Sequence, residues 1–179
     1  MFAIDEGYIL AKKENLMKYD EITDCGIYQT GSNFIVMADE LLVYSTKELS
    51  KDKLTDKVLT KGEMFAAKSF SYACTKEASI EIEGVGYISA RRELIERING
   101  KLDLRTYNVR PGKYIVTGKE EKGYRAPSFA NHLKARVYKK GTVVNGVGFG
   151  ISKNGYPRLK LDDGNYVTSN SNYVKFKGE

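Results

Sequence analysis

The stretch PRLKLDDGNYVTS, residues 157–169, sets apolar side chains in alternation with polar ones on both sides of an Asp163-Gly164 pair. Leu159, Leu161, Tyr166 and Thr168 fit a period of two, and Asp-Gly accepts the positive φ of a tight turn, so the stretch predicts a β-hairpin. The pattern recurs. SIEIEGVGYIS, residues 79–89, lies 79 residues earlier, with Ile80 and Ile82 over Leu159 and Leu161. DEGYILAKKEN, residues 5–15, carries its second half once more, so that Tyr8, Tyr87 and Tyr166 stand at intervals of 79. A fixed period marks one folding unit per repeat.

Working outward, NFIVMADELLVYS (33–45) lies over KYIVTGKEEKGYR (113–125) at an offset of 80, and VLTKGEMFA (58–66) over VYKKGTVVN (137–145) at 79. The connectors DCGIY and DLRTY also correspond. The expected organisation is therefore residues 1–17 as the end of a preceding repeat, 18–99 as a first whole copy and 100–179 as a second. Each copy reads as five or six short strands with one long early loop. Lys-Gly in TKG and KKG (Gly62, Gly141) marks a second turn. Only RRELIERIN, residues 91–99, has helical character. The fold class is all-β, and a closed small barrel is the economical solution because closure removes exposed strand edges.

A chain of 179 residues with 41% hydrophobic residues and thirteen tyrosines can build two small cores, which excludes general disorder. No apolar run reaches membrane-spanning length, so no membrane partner is expected, and the acidic N-terminus is not a signal sequence. Cys25 and Cys74 make no metal spacing and do not repeat with the module, so both read as free thiols; the single His132 reads as a surface loop residue. Charge is divided unevenly. Residues 101–179 hold 16 Lys and Arg against 6 Asp and Glu, while residues 1–100 hold 13 against 17. The second copy is thus suited to an anionic partner.

KYIVTGKEEKGYRAPSF, ARVYKKGTVV and RLKLDDGNYV in the second copy resemble the bacterial SH3-like (SH3b) cell-wall-binding module. The resemblance covers residues 33–97 and 113–176, with LLVYSTKEL standing for GYRAPSF in the first copy. It implies two tandem SH3-like small β-barrels of the kind found at the C-termini of endolysins from phages of Gram-positive bacteria, preceded by the closing strand of a truncated third repeat. The function it implies is non-catalytic: to hold a catalytic domain on peptidoglycan or wall teichoic acid. It also implies synthesis in the host cytoplasm without a signal peptide and action at the Gram-positive wall.

Aromatics shared by both copies, Tyr44/Tyr124, Phe70/Phe149 and Tyr87/Tyr166, fit a repeated core as well as a site. Phe129, Tyr156 and Tyr173 belong to the second copy alone. A sugar ring can lie on an aromatic face while a basic side chain pairs with phosphate. The candidate ligand-binding set is therefore Tyr124, Arg125, Phe129, Tyr156, Arg158, Lys160 and Tyr173. One His and no carboxylate pair that recurs between copies leave no catalytic constellation, so any hydrolase activity would reside on another domain; no metal and no cofactor are expected. Gly146, Gly148 and Gly150 in NGVGFG are not followed by a helix, so they read as small residues on one strand face where a ring or backbone comes close, rather than as a phosphate loop. A tandem SH3-like nucleic-acid-binding protein is the alternative, ranked second because the basic charge is confined to one copy. A peptide-binding SH3 adaptor is disfavoured by the absence of Trp.

The opening segment has Ile4, Tyr8 and Leu10 in the pattern of a closing strand without its hairpin partners. It can pair with the first copy, displace GYISA from it, or exchange with another chain. The expectation is that residues 1–13 are ordered and packed on the first copy.

Overall fold

The computed structural model describes residues 2–4, 7–9, 31–73 and 76–178. The first copy contributes β3 (Asn33–Val36), β4 (Glu40–Tyr44), β5 (Leu54–Thr60), β6 (Met64–Ala66), β7 (Ser69–Ala73), β8 (Lys76–Ile82), β9 (Gly86–Ser89) and β10 (Ile95–Ile98). The second contributes β11 (Gly112–Val116), β12 (Glu120–Tyr124), β13 (Lys134–Lys139), β14 (Val143–Ile151), β15 (Pro157–Leu161), β16 (Tyr166–Thr168) and β17 (Val174–Gly178). The protein is all-β, and every pairing is antiparallel. In the second copy the strands run β13-β12-β16-β15-β14-β11-β17. The first copy repeats this order in two pieces, β5-β4-β9-β8-β7 and β10-β3-β6. The break falls at residues 67–68, between β6 and β7, where the second copy keeps one nine-residue strand that shifts register between Gly146 and Gly148.

Four expectations are corrected. The copies have eight and seven strands rather than five or six. Neither closes into a barrel: among the described residues the end strands β13 and β17 do not pair with each other. These edges instead carry Lys134, Arg136 and Lys139, and Lys175 and Lys177, which blunts an open edge by charge. RRELIERIN is not helical. Its first residues make a turn closed by the Leu94 N–H donating to the Arg91 carbonyl, and Ile95–Ile98 pairs with β3, because a sheet edge offers four residues more than an isolated helical turn can. The β15–β16 loop has three residues rather than two: Lys160 faces Tyr166, the Leu161 N–H donates to the Asn165 carbonyl, and only Gly164 takes a positive φ.

The opening segment also departs from expectation. β1 (Phe2–Ile4) and β2 (Gly7–Ile9) pair with each other, Ala3 against Tyr8, as a separate two-stranded sheet. The partner strand is therefore in the chain. β9 stays between β8 and β4 of its own copy, so no strand exchange occurs among the described residues. Residues 10–13, Cys25 and Cys74 lie outside the described residues.

Each copy has its own core. Phe34, Val43, Ile80 and Ile88 centre the first, and Tyr114, Val116, Leu159 and Val167 the second. A third apolar cluster lies between them. Ile35 and Ile98, on the opposite face of β3 and β10 from Phe34, pack with Val109 of the connector and with Phe149 and Ile151 of β14. Hydrogen bonds flank this seam. Asn33, buried, donates through Nδ2 to the carbonyls of Asn99 and Leu102, both at 3.2 Å, while the Asn99 N–H reaches the Gly155 carbonyl at 2.9 Å. The copies are therefore joined by buried contact and not by a flexible tether. Ile35→Ala should cost about 2–4 kcal/mol in urea unfolding, as a buried Ile truncation does, whereas Val147→Ala at an exposed position should stay within about 0.5 kcal/mol. Equal effects from the two would place the seam outside the cooperative unit.

Candidate functional site

β15 carries the site because its alternation is strict: Pro157, Leu159 and Leu161 are buried, while Arg158 and Lys160 face outward. Arg158 faces Gly150 on one neighbouring strand and Thr168 on the other. Over this spot folds the β12–β13 loop. A Cβ on Gly150 would come within 3.1 Å of Pro127 and 2.9 Å of the Tyr166 ring, so only glycine lets the loop lie this close. The loop delivers Phe129, whose ring stacks on Tyr124 at 4.4 Å between centroids and 15° between planes. The Arg158 guanidinium lies 3.7 Å from the Phe129 centroid and 5.5 Å from that of Tyr156. Tyr124 is almost fully buried, and so serves as the support of Phe129.

The guanidinium is held by rings rather than by hydrogen bonds. Its Nε is buried without a partner, and no ion pair to it occurs among the described residues. Burial pulls its proton affinity below the ordinary Arg value, an effect opposed by Tyr107 and Glu121 nearby. Glu121 accepts a hydrogen bond from the Thr168 N–H at 3.4 Å, and burial pushes its carboxyl above the usual carboxylate value. The arrangement offers a planar cation, pre-oriented by two rings, whose remaining N–H groups match the paired oxygens of a phosphate or carboxylate.

The structure thus brings together Tyr124, Phe129, Tyr156 and Arg158 of the predicted set. Lys160 lies on the same face of β15 two residues on, but lines a groove toward the first copy. Arg125 is exposed, its N–H bound to the Leu133 carbonyl. Tyr173, half exposed, sits against Gly118 in the β11–β12 turn, apart from Arg158. The glycine reading needs adjustment: the register shift turns Gly146 into the core, against Tyr114 and Leu159, and Gly148 and Gly150 to the Arg158 face. Sequence reasoning missed Glu121, Tyr107 and Pro127. The signal for Glu121 was present, since the equivalent position of β4 holds the core residue Leu41.

The first copy is a built-in comparison. Ser79 occupies the place of Arg158 and Glu81 that of Lys160. Glu81 is consumed internally, accepting from Lys68 Nζ and Ser69 Oγ, both at 2.7 Å. In the second copy Val147 and Gly148 stand where Lys68 and Ser69 would be, so no such network forms.

Comparison with known proteins adds a family match for the second copy. Residues 107–174 match the family described as a domain of unknown function, DUF5776. No curated protein is significantly similar in sequence. Among solved structures, NlpC2 from Trichomonas vaginalis shares 15% identity at a TM-score of 0.30, over 84% of this chain and 49% of that one. The chain spans about half the length of that protein, and a likeness this distant carries no argument about role. No helix among the described residues is long and apolar enough to cross a membrane.

Because the Glu121 carboxyl is pushed up by burial, its contribution to stability is fully present below the usual carboxylate value and lost as pH rises through its folded value. Glu121→Gln should therefore raise the melting temperature at pH 7 and leave it nearly unchanged at pH 3.5. A lower melting temperature at pH 7 would mean that attraction to Arg158 outweighs the burial cost.

Proposed function

We propose that this chain is a non-catalytic cell-wall-binding region that anchors a catalytic domain, of a phage endolysin or a related bacterial wall hydrolase, to Gram-positive peptidoglycan or wall teichoic acid. The observation that carries the reading is Arg158: a half-buried guanidinium, stacked on Phe129, with its Nε unpartnered. Desolvating a cation without a hydrogen-bond partner is costly, and the same fold in the first copy does without it by using Ser79. The cation is therefore retained for something it meets in use. The SH3b resemblance of the second copy supplies the setting, since wall polymers combine sugar faces with phosphate or carboxylate groups. Tyr156 and Phe129 suit the former, and the guanidinium fork suits the latter.

A fluorescent fusion of the chain should label intact Gram-positive cells. Arg158→Ser, which installs the first copy's residue, should reduce labelling at least about tenfold, because a hydrogen bond to a charged group contributes about 1.5–3 kcal/mol, while the melting temperature holds. Failure to label any of a broad panel of species would sink the wall reading. Equal capture by a single-stranded DNA oligomer at physiological salt would move the protein to the nucleic-acid alternative.

A further inference from the structure

The Arg158 site does not end at Arg158. Lys160 follows on the same outward face of β15, about 7 Å along the strand at the usual rise per residue. Its neighbour across β14 is Gly148, around which a Cβ would meet nothing within 4 Å, so the surface beside Lys160 is bare. Lys160 has no hydrogen bond or ion pair among the described residues. It opens onto a groove of about 390 Å³ between the copies, lined also by Val147, Phe149, Val109, Pro111 and Met37. On the far side stands Lys61 of the first copy, in the β5–β6 turn. That turn is fixed in place: a Cβ on Gly62 would come within 3.0 Å of Val109 and 3.4 Å of Phe149. Lys61 pairs with Asp39 at 3.1 Å, but both side chains are largely exposed, so the pair is weak and open to competition.

We infer that Tyr156, Arg158, Lys160 and Lys61 form one track, which runs along β15 and across the boundary between the copies, for a linear polymer of polyol units joined by phosphodiesters. The inference rests on the wall-binding reading and narrows its ligand. Three cations in sequence along a bare, shallow floor suit a chain that places a negative charge at every unit. Tyr156 and Phe129 cluster at one end, where a sugar or polyol can lie against Tyr156. Beyond them the groove holds a single ring, Phe149, packed into the seam with Ile35 and Val109 and flanked by Val147 and Pro111, so the succession of ring platforms that holds the bases of a single-stranded nucleic acid is not formed among the described residues. An extended acidic peptide would bind by adding to a sheet edge, and β15 has both edges paired. The track also gives the first copy a role that needs no Arg158 equivalent: it supplies the distal cation from a rigidly docked turn.

The test uses the whole chain with oligo(glycerol phosphate) of defined length, from two to about eight phosphates, in a binding titration. Affinity should rise with length until the track is filled. Arg158→Ser should weaken every length. Lys61→Ala should leave the shortest oligomer unaffected and weaken the longer ones about fivefold, the scale of an exposed ion pair, with melting temperature unchanged. Affinity independent of length, or Lys61→Ala without effect on the longest oligomer, would overturn the track. Sacculi separate this failure from failure of the wall reading. Equal binding to native sacculi and to sacculi stripped of phosphate polymers would refute the polymer while leaving wall binding intact. Binding to neither would refute both.

Discussion

The apolar seam between the copies is the contact on which the remaining architecture depends. Ile35 is part of the edge sheet of the first copy, with its neighbour Phe34 turned to the copy's own core and Ile35 turned away from it. A strand so short can have both faces buried only if something covers the second face. Phe149 and Ile151 provide that cover from β14, and Val109 fills the angle between. Removing the cover would expose apolar surface on both partners, at about 25 cal/mol per Å². Two cores of about ten residues each are modest for independent domains, and the third cluster makes them one body. Docking also fixes what faces what: it places the β5–β6 turn of the first copy beside the outward face of β15, without any residue of that turn having been shaped for a ligand of its own.

Duplication lets the structural and non-structural demands on a position be separated. Where both copies keep a residue type, as with Tyr44 and Tyr124 or Ile88 and Val167, the fold is the common cause. Where they part at one register position, the fold is shown to tolerate both. Ser79 and Arg158 sit opposite Ser89 and Thr168 in the same hairpin, yet one is small and enclosed and the other is a cation laid on a ring. Glu81 and Lys160 differ in sign, and the copy with Glu81 also provides Lys68 and Ser69 to satisfy it. Among the described residues the second copy provides no acid for Lys160, and it replaces the satisfying residues by Val147 and Gly148. Such coordinated change argues that the two faces answer to different environments.

The repeat, the strand-rich class, the β15–β16 hairpin and the glycine turns at Gly62 and Gly141 were legible because they rest on local rules: period-two patterning and positive φ. What was misread depended on the partner. RRELIERIN has a helical spacing, but its fate was decided by the free edge of β3. The open sheet was missed because closure and charged edges solve the same problem, and only geometry says which is used. Four of the seven predicted site residues converge, since the stacking of Tyr124, Phe129 and Arg158 needs a loop brought back over β14, and Gly150 was visible as a small residue without its purpose being visible. Glu121 stands among the charges of KEEKGY, where nothing in the local pattern marks it as partly buried. Its comparison with Leu41 would have marked it, because a carboxylate in place of a core leucine needs a reason.

That reason bears on how selective the site is. A bare guanidinium would attract any anion, with a strength set by salt. Glu121 near Arg158 lowers the field seen by a distant anion, while leaving the direct fork of the guanidinium unoccupied. Long-range attraction is thereby traded for short-range geometry: an anion gains only if it reaches the N–H groups past Phe129 and Tyr156, and a ligand with an apolar or sugar face beside its charge does so at lower desolvation cost than a free ion. On the wall-binding reading proposed above, the net charge of the second copy would draw polyanions to the surface, and the partly neutralised, ring-walled Arg158 would decide which of them stay.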